Sequence, residues 1–153
     1  MVETDKIILR KTKLEDIERI LNFEADNNQF VQQYNFSEHK EILESESHLS
    51  VFERKSNLLI GFVILAGILS SDKIIEFRRI VISKKGSGYG KDTVQLVKKI
   101  CFEGYKASKI WLDVYADNKR AIKLYKLMGF IEEGVEAIDE NRKLLIMSIA
   151  NNQ

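Results

Sequence analysis

Residues 74–115 constrain this chain more than any other stretch. IIEFRRIVI, residues 74–82, is rich in β-branched residues and predicts a strand. KKGSGYGK, residues 84–91, follows it with three glycines in five positions. Val94, Leu96, Val97, Ile100 and Cys101 then recur on one broad stripe, which predicts a helix over 91–105. KIWLDVY, residues 109–115, reads as a second strand. A strand, a helix and a further strand in this order make a parallel crossover, so the sheet that holds them is mixed.

The flanking residues fill out that sheet. Residues 6–11 predict a strand. Thr12-x-x-Glu15 fits a capping box, and Leu14, Ile17, Ile20 and Leu21 predict the helix behind it, ended by the polar residues 24–29. Ser37 is the expected cap of a second helix reaching about residue 47. Strands at 48–54, 58–69 and 74–82, joined by short turns at 55–57 and 70–73, imply an antiparallel meander. The 58–69 strand is apolar on both faces and so belongs inside the sheet. After 109–115 a helix runs to 127 or 128, with Gly129 just past its end, and strands at 130–135 and 144–149 close the chain. The expected class is α+β: a mixed, mostly antiparallel sheet of about seven strands flanked by four helices. No repeat or linker divides it, so a single domain over 1–153 is expected.

Composition removes several classes of function. The chain has 153 residues, 44% of them hydrophobic and 31% charged, which suits a packed domain. A formal charge of +1 gives no global field for nucleic acid or an anionic membrane, so neither is expected as a partner. The longest apolar run, 58–69, is too short for a bilayer and is broken by Gly61 and Gly67. The N-terminus carries acidic residues early and no signal-type apolar stretch, so a cytoplasmic location is expected. One cysteine excludes a multi-cysteine zinc site, and no metal is expected. Cys101 itself sits on the apolar helix stripe, the place of a buried thiol rather than a nucleophile.

The glycine stretch can present backbone N–H groups to an anion at a helix N-terminus, with Lys84, Lys85 and Lys91 adding cations. A solvated tight turn uses the same residues. Gly86-Ser-Gly-Tyr-Gly90-Lys91-Asp92 fails the P-loop in both spacing and terminal hydroxyl. It fails the dinucleotide fingerprint because its third glycine comes one residue early, although Asp113 lies at a suitable distance.

Residues 85–90 do resemble the [QR]-x-x-G-x-[GA] loop of the GNAT family of N-acetyltransferases. WLDVYADNKRAIKLYKLMGF, residues 111–130, resembles that family's next motif, a strand followed by N-x-x-A-x-x-x-Y-x-x-x-G-F. The two motifs agree in type, order and separation, and the element order agrees over nearly the whole chain. Lys85 departs from the family's arginine or glutamine; it keeps the charge and loses the fork geometry. The stretch around 24–39 resembles the subgroup of ribosomal-protein N-terminal acetylases.

The resemblance implies a GNAT fold and transfer of acetyl from acetyl-coenzyme A directly to a primary amine. It implies that Ile80, Val81 and Ile82 offer backbone groups to the pantetheine arm. Lys85, Gly86, Ser87, Gly88, Tyr89, Gly90 and Lys91 would cradle the pyrophosphate, and Asn118, Ala121, Tyr125 and Lys126 would complete the cofactor site. Tyr125 would protonate the departing thiolate and Glu76 would take the amine's proton. Glu24, Asn28, Phe30 and Tyr34 would line the acceptor side, and a homodimer through the last strands is possible in such folds. Each residue also has a plain reading. Asn118 is a good helix cap. Tyr125 shares the apolar spacing of Ala121, Leu124 and Met128 and fits a core. Glu76 can pair with Arg78 on one strand face. Glu24 to Tyr34 can be helix packing, and His39 and His48 read as surface or capping residues. A non-catalytic acyl-coenzyme A binding module and a nucleotide-binding α/β protein are the rival readings, and the acceptor is open.

Overall fold

The computed structural model describes residues 1–27 and 33–151. Eight strands form one sheet: β1 (Val2–Glu3), β2 (Ile7–Lys11), β3 (Ser47–Glu53), β4 (Leu59–Ala66), β5 (Ile74–Ile82), β6 (Lys109–Tyr115), β7 (Ile131–Ala137) and β8 (Lys143–Ala150). Their spatial order is β1-β2-β3-β4-β5-β6-β8-β7. The four helices are α1 (Ile17–Asp26), α2 (Phe36–Ser45), α3 (Tyr89–Lys99) and α4 (Lys119–Leu127). A 3-10 turn precedes α1 and a π turn, Ile100–Gly104, follows α3. The mixed, mostly antiparallel sheet with four helices is as expected, and it is one strand larger. The added β1 is two residues long, pairing Val2 with Leu9, too short to show an alternating pattern.

Every ladder is antiparallel except β5 with β6, the crossover that the 74–115 pattern demanded. All eight residues of β4 are buried, which accounts for its continuous apolar run. Phe62 and Ile64 face α1 and α2, packing with Ile20, Phe23 and Ile42. Val63 and Leu65 face the other way, into a core with Val94, Val97 and Cys101 of the α3 side and Tyr125 of α4. Helices therefore cover both faces of the sheet's middle, because that middle is apolar on both faces.

Two caps differ from expectation. Thr12 does not cap α1. Its hydroxyl is buried against Ser50 Oγ at 2.7 Å and His48 Nδ1 at 2.8 Å, and the Asp16 carboxylate accepts the Lys13 N–H instead. Ser37 does not cap α2; Asn35 does, its Oδ1 accepting the Glu38 N–H while Glu38 Oε1 accepts the Asn35 N–H. In α3 the helix starts earlier than 91, because Gly88 at φ +79° serves as its N-cap. Among the described residues no helix is long and apolar enough to cross a membrane, and no group of three side chains could ligate a metal.

Candidate active site

The site begins where two parallel strands part. β5 and β6 pair only at Ile74↔Lys109, Ile75↔Ile110 and Glu76↔Trp111. Beyond Glu76, β5 stays with β4 to Ile82 while β6 stays with β8 to Tyr115, and a cleft opens between them. A bulge accounts for the parting: Leu65 pairs with Phe77 and Ile64 with Arg79, which leaves Arg78 as an extra residue on β5. Such a residue bends its strand and raises the local twist. It also reverses the strand's faces. Ile75 and Phe77 join the α3 side before the bulge, and Ile80 and Ile82 join it after. Past Glu76 the backbone of β5 has no β6 partner, and Phe77, Arg78, Arg79 and Ile80 line the cleft.

The glycine loop sits at the end of β5. Gly86 and Gly88 have φ of +83° and +79°, conformations that side chains with a Cβ rarely adopt. Among the described residues, the N–H groups of residues 86 to 91 donate to no other protein group, and Asp92 N–H makes the first helical bond of α3. This row of uncommitted donors lies at a helix N-terminus, an arrangement suited to an anion. Lys85 Nζ reaches Asn27 Oδ1 at 2.9 Å; burial, then the charge of Arg120, pushes its pKa down. Lys6, which sequence reading passed over, brings its Nζ within 3.3 Å of the Ser87 carbonyl. Nothing in the sequence joins positions 6 and 87; the β1–β2 turn does. The Tyr89 side chain points inward, donating to Glu53, so only its backbone is available to a ligand.

Across the cleft, α4 supplies the polar groups. Asn118 Oδ1 accepts the Ala121 N–H at 3.3 Å, so it caps α4, and among the described residues its amide nitrogen has no hydrogen-bond partner at the cleft wall. Ala121 and Tyr125 line the same wall. Tyr125 is buried, with its ring 6.2 Å from that of Phe77 and 5.7 Å from that of Phe130. Its hydroxyl makes no hydrogen bond to protein among the described residues. Burial, then the Asp113 carboxylate, pushes the phenol pKa well up. Lys126 points elsewhere, pairing with Glu132 at 2.8 Å. Glu76 Oε1 accepts from Arg78 Nη2 at 3.2 Å and Nε at 3.3 Å, the ion pair that its plain reading proposed. Asp113 lies on the cleft wall, its pKa raised by burial and by Glu136 and lowered by Arg79. Its signal was available: Ile110, Leu112 and Val114 are buried, so Asp113 must face the other way. Cys101 is fully buried, its thiol pushed up to about 12 by burial, as its stripe position suggested.

On the α1 side, Glu24 is buried at 1% exposure within a polar chain. Its Oε1 meets His39 Nε2 at 2.5 Å and accepts the Tyr34 N–H at 3.3 Å. His39 Nδ1 lies 3.0 Å from His48 Nε2, and the chain continues through Thr12 to Ser50. Glu24 Oε2 is 3.7 Å from Arg79 Nε, and the Arg79 guanidinium stacks 4.4 Å above the Tyr34 ring. Glu24 is thus enclosed rather than open to a ligand, and Tyr34 supports Arg79, which lines the cleft. Asn28 and Phe30 lie outside the described residues. The two histidines are core residues rather than surface ones. Only the packing of α2 on the start of β3 brings them together.

Residues 14–130 match the acetyltransferase (GNAT) family, and the chain belongs to that family. It is an acetyl-coenzyme A-dependent N-acetyltransferase, with acetyl-coenzyme A as cosubstrate. A spermidine N(1)-acetyltransferase of Vibrio cholerae serotype O1 is 28% identical over 142 residues, 84% of this chain and 81% of that protein. The crystal structure of spermidine N-acetyltransferase from Vibrio cholerae in complex with CoA and spermine superposes with a TM-score of 0.83 at 26% identity, covering 96% of each chain. A dodecameric structure of spermidine N-acetyltransferase from Vibrio cholerae shares the fold, with a TM-score of 0.79 at 24% identity over 96% of this chain and 95% of that one. The expected subgroup of ribosomal-protein N-terminal acetylases gives way to these relatives, which are spermidine enzymes.

Proposed function

We propose that the β5–β6 cleft moves acetyl from acetyl-coenzyme A to an aliphatic polyamine of the spermidine class. The observation that carries this is the parting of the two strands beside an N–H-rich glycine loop, with Asn118 and Tyr125 on the opposite wall. The N–H groups of Gly86, Ser87, Gly88, Tyr89 and Gly90, with Lys85 and Lys91, hold the pyrophosphate. The open backbone of Ile80, Val81 and Ile82 pairs with the pantetheine arm; Asn118 donates to it, and Ala121 leaves room for it. Bound there, the cosubstrate supplies the thioester acetyl group. Much of the acceleration comes from holding both partners in place.

Tyr125 gives its proton to the departing sulfur, and its raised pKa keeps that proton on the phenol at neutral pH. The acceptor amine must lose a proton before it attacks. Glu76 is engaged by Arg78, so Asp113, which opens onto the cleft with a raised pKa, is the better base. The polyamine reading is supported by the spermidine relatives and by Asp113 and Glu136, which make no ion pair among the described residues. Glu24 and Tyr34 act on the acceptor side through Arg79.

Thiol release from acetyl-coenzyme A, measured with spermidine, spermine, a monoamine and a peptide N-terminus, tests the reading. Turnover greatest with the polyamines is expected. Turnover only on peptide removes the polyamine acceptor, and tight coenzyme A binding without turnover leaves a binding module. Self-association belongs to the same reading. β7 is an edge strand that leaves Ile131 and Val135 exposed, and sedimentation would give the monomer's mass at every concentration if the chain does not associate.

A further inference from the structure

Glu53 ends β3, far in sequence from the glycine loop, yet its carboxylate holds that loop at both ends. It is 1% exposed. Oε2 accepts from the Tyr89 hydroxyl and from Lys84 Nζ at 3.0 Å; Oε1 accepts from Lys84 Nζ at 3.1 Å and from Ser56 Oγ at 2.6 Å. Lys84 and Tyr89 bracket residues 85–88, which include both positive-φ glycines of the loop. Glycine has more backbone freedom to lose than any other residue, and two of these four positions are glycine.

We infer that Glu53 is a positioning residue for the coenzyme A site, a buried clamp that orders the 84–89 loop before the ligand arrives. The inference rests on the reading of that loop as the pyrophosphate cradle. An ordered loop binds more tightly because the ordering cost does not fall on the binding step. A carboxylate beneath an anion site would by itself repel the ligand, and Lys84 answers that charge directly. Lys84 is therefore spent on the clamp, and among the described residues the cations left near the loop include Lys85, Lys91, Lys6 and Arg120, whose charge acts on Lys85. Glu53 sits low in the carboxylate range, at about 2, chiefly through Ser56, then Tyr89 and Lys84, so the clamp is ionised at any working pH.

The test is calorimetric titration with coenzyme A, together with separate KM values for acetyl-coenzyme A and spermidine. It uses the wild type, Glu53→Gln, Tyr89→Phe and the double variant. Glu53→Gln should raise the coenzyme A Kd and the acetyl-coenzyme A KM by about tenfold. Its kcat at saturation and its KM for spermidine should stay near wild type, a split that general loosening of the fold would not give. Tyr89→Phe should raise the Kd, and the double variant should lose less than the product of the two. A folded Glu53→Gln protein with wild-type affinity, or full additivity in the double variant, overturns the clamp. If Glu53→Gln fails to fold, an unchanged Kd in Tyr89→Phe does so alone. A wild type that binds no coenzyme A overturns both the clamp and the reading beneath it.

Discussion

Glu24 Oε1 and His39 Nε2 lie 2.5 Å apart with neither side chain open to solvent. One assignment of protons gives every step from Ser50 to Glu24 Oε1 a donor and an acceptor. Ser50 donates to Thr12, Thr12 to His48 Nδ1, His48 Nε2–H to His39 Nδ1, and His39 Nε2–H to the Glu24 carboxylate. Arg79 then balances the carboxylate from the cleft side. At the far end Glu24 Oε2 and Arg79 Nε and Nη2 are buried with no hydrogen-bond partner among the described residues, so that end rests on the ion pair alone.

The chain makes stability depend on pH. Burial, then the neighbouring His39, lowers the His48 pKa from 6.5 to about 3. Between those values the unfolded chain binds the proton and the native one does not. Stability is therefore full above pH 6.5 and falls as pH drops toward 3, with about 1.4 kcal/mol at stake per unit of displacement. Urea unfolding between pH 7 and 5, above the range of the depressed carboxylates, should show the fall, and His48→Asn should flatten it. A flat wild-type profile would contradict the assignment.

Tyr125→Phe should lower kcat by about a hundredfold while leaving both KM values close to wild type. The Phe ring keeps the contacts with Phe77 and Phe130, so the melting temperature should hardly move. Unchanged kcat would return Tyr125 to the core role that its helical spacing also allows.

The two carboxylates can be told apart by the acid limb of kcat/KM for spermidine. Asp113 has its pKa raised above the ordinary aspartate value, so the rate should fall as pH drops through that raised value. Asp113→Asn should remove the limb, and Glu76→Gln should keep it. The opposite outcome would restore Glu76 as the base.

Gly88→Ala should weaken coenzyme A binding and destabilise the fold. The residue has φ +79°, and a Cβ there would lie 2.9 Å from Lys6 Nζ. The left-handed backbone costs a residue with a side chain about 1–2 kcal/mol. The lysine can swing aside, and the backbone cannot. Calorimetry and thermal melting read the two effects separately, and an alanine variant of wild-type affinity would mean the loop conformation is not needed.

What the sequence made legible follows the range of each signal. The crossover, the meander and the inner position of β4 were readable because periods of 2 and 3.6 are local. The loop and Asn118 were readable because motif spacing is local too. The bulge at Arg78 was not, since it exists only in the register of β5 against Ile64 and Leu65. The Glu24–His39–His48 chain was not, because its members come from three elements. Glu53 and Lys6 reach the loop across 36 and 81 positions of sequence, and nothing at their own positions marks them. Thr12 shows the reverse error: a local capping signal overruled by a buried partner on β3.

The central claim is that coenzyme A lies along β5 past the bulge and across the start of α3. Amide hydrogen exchange with and without coenzyme A tests it most directly. The account predicts added protection at residues 79–82 and 86–91 and in the first turn of α4, with residues 47–53 of β3 unchanged. Protection confined to another surface, or protection of the loop by NAD or ATP but not by coenzyme A, would contradict it.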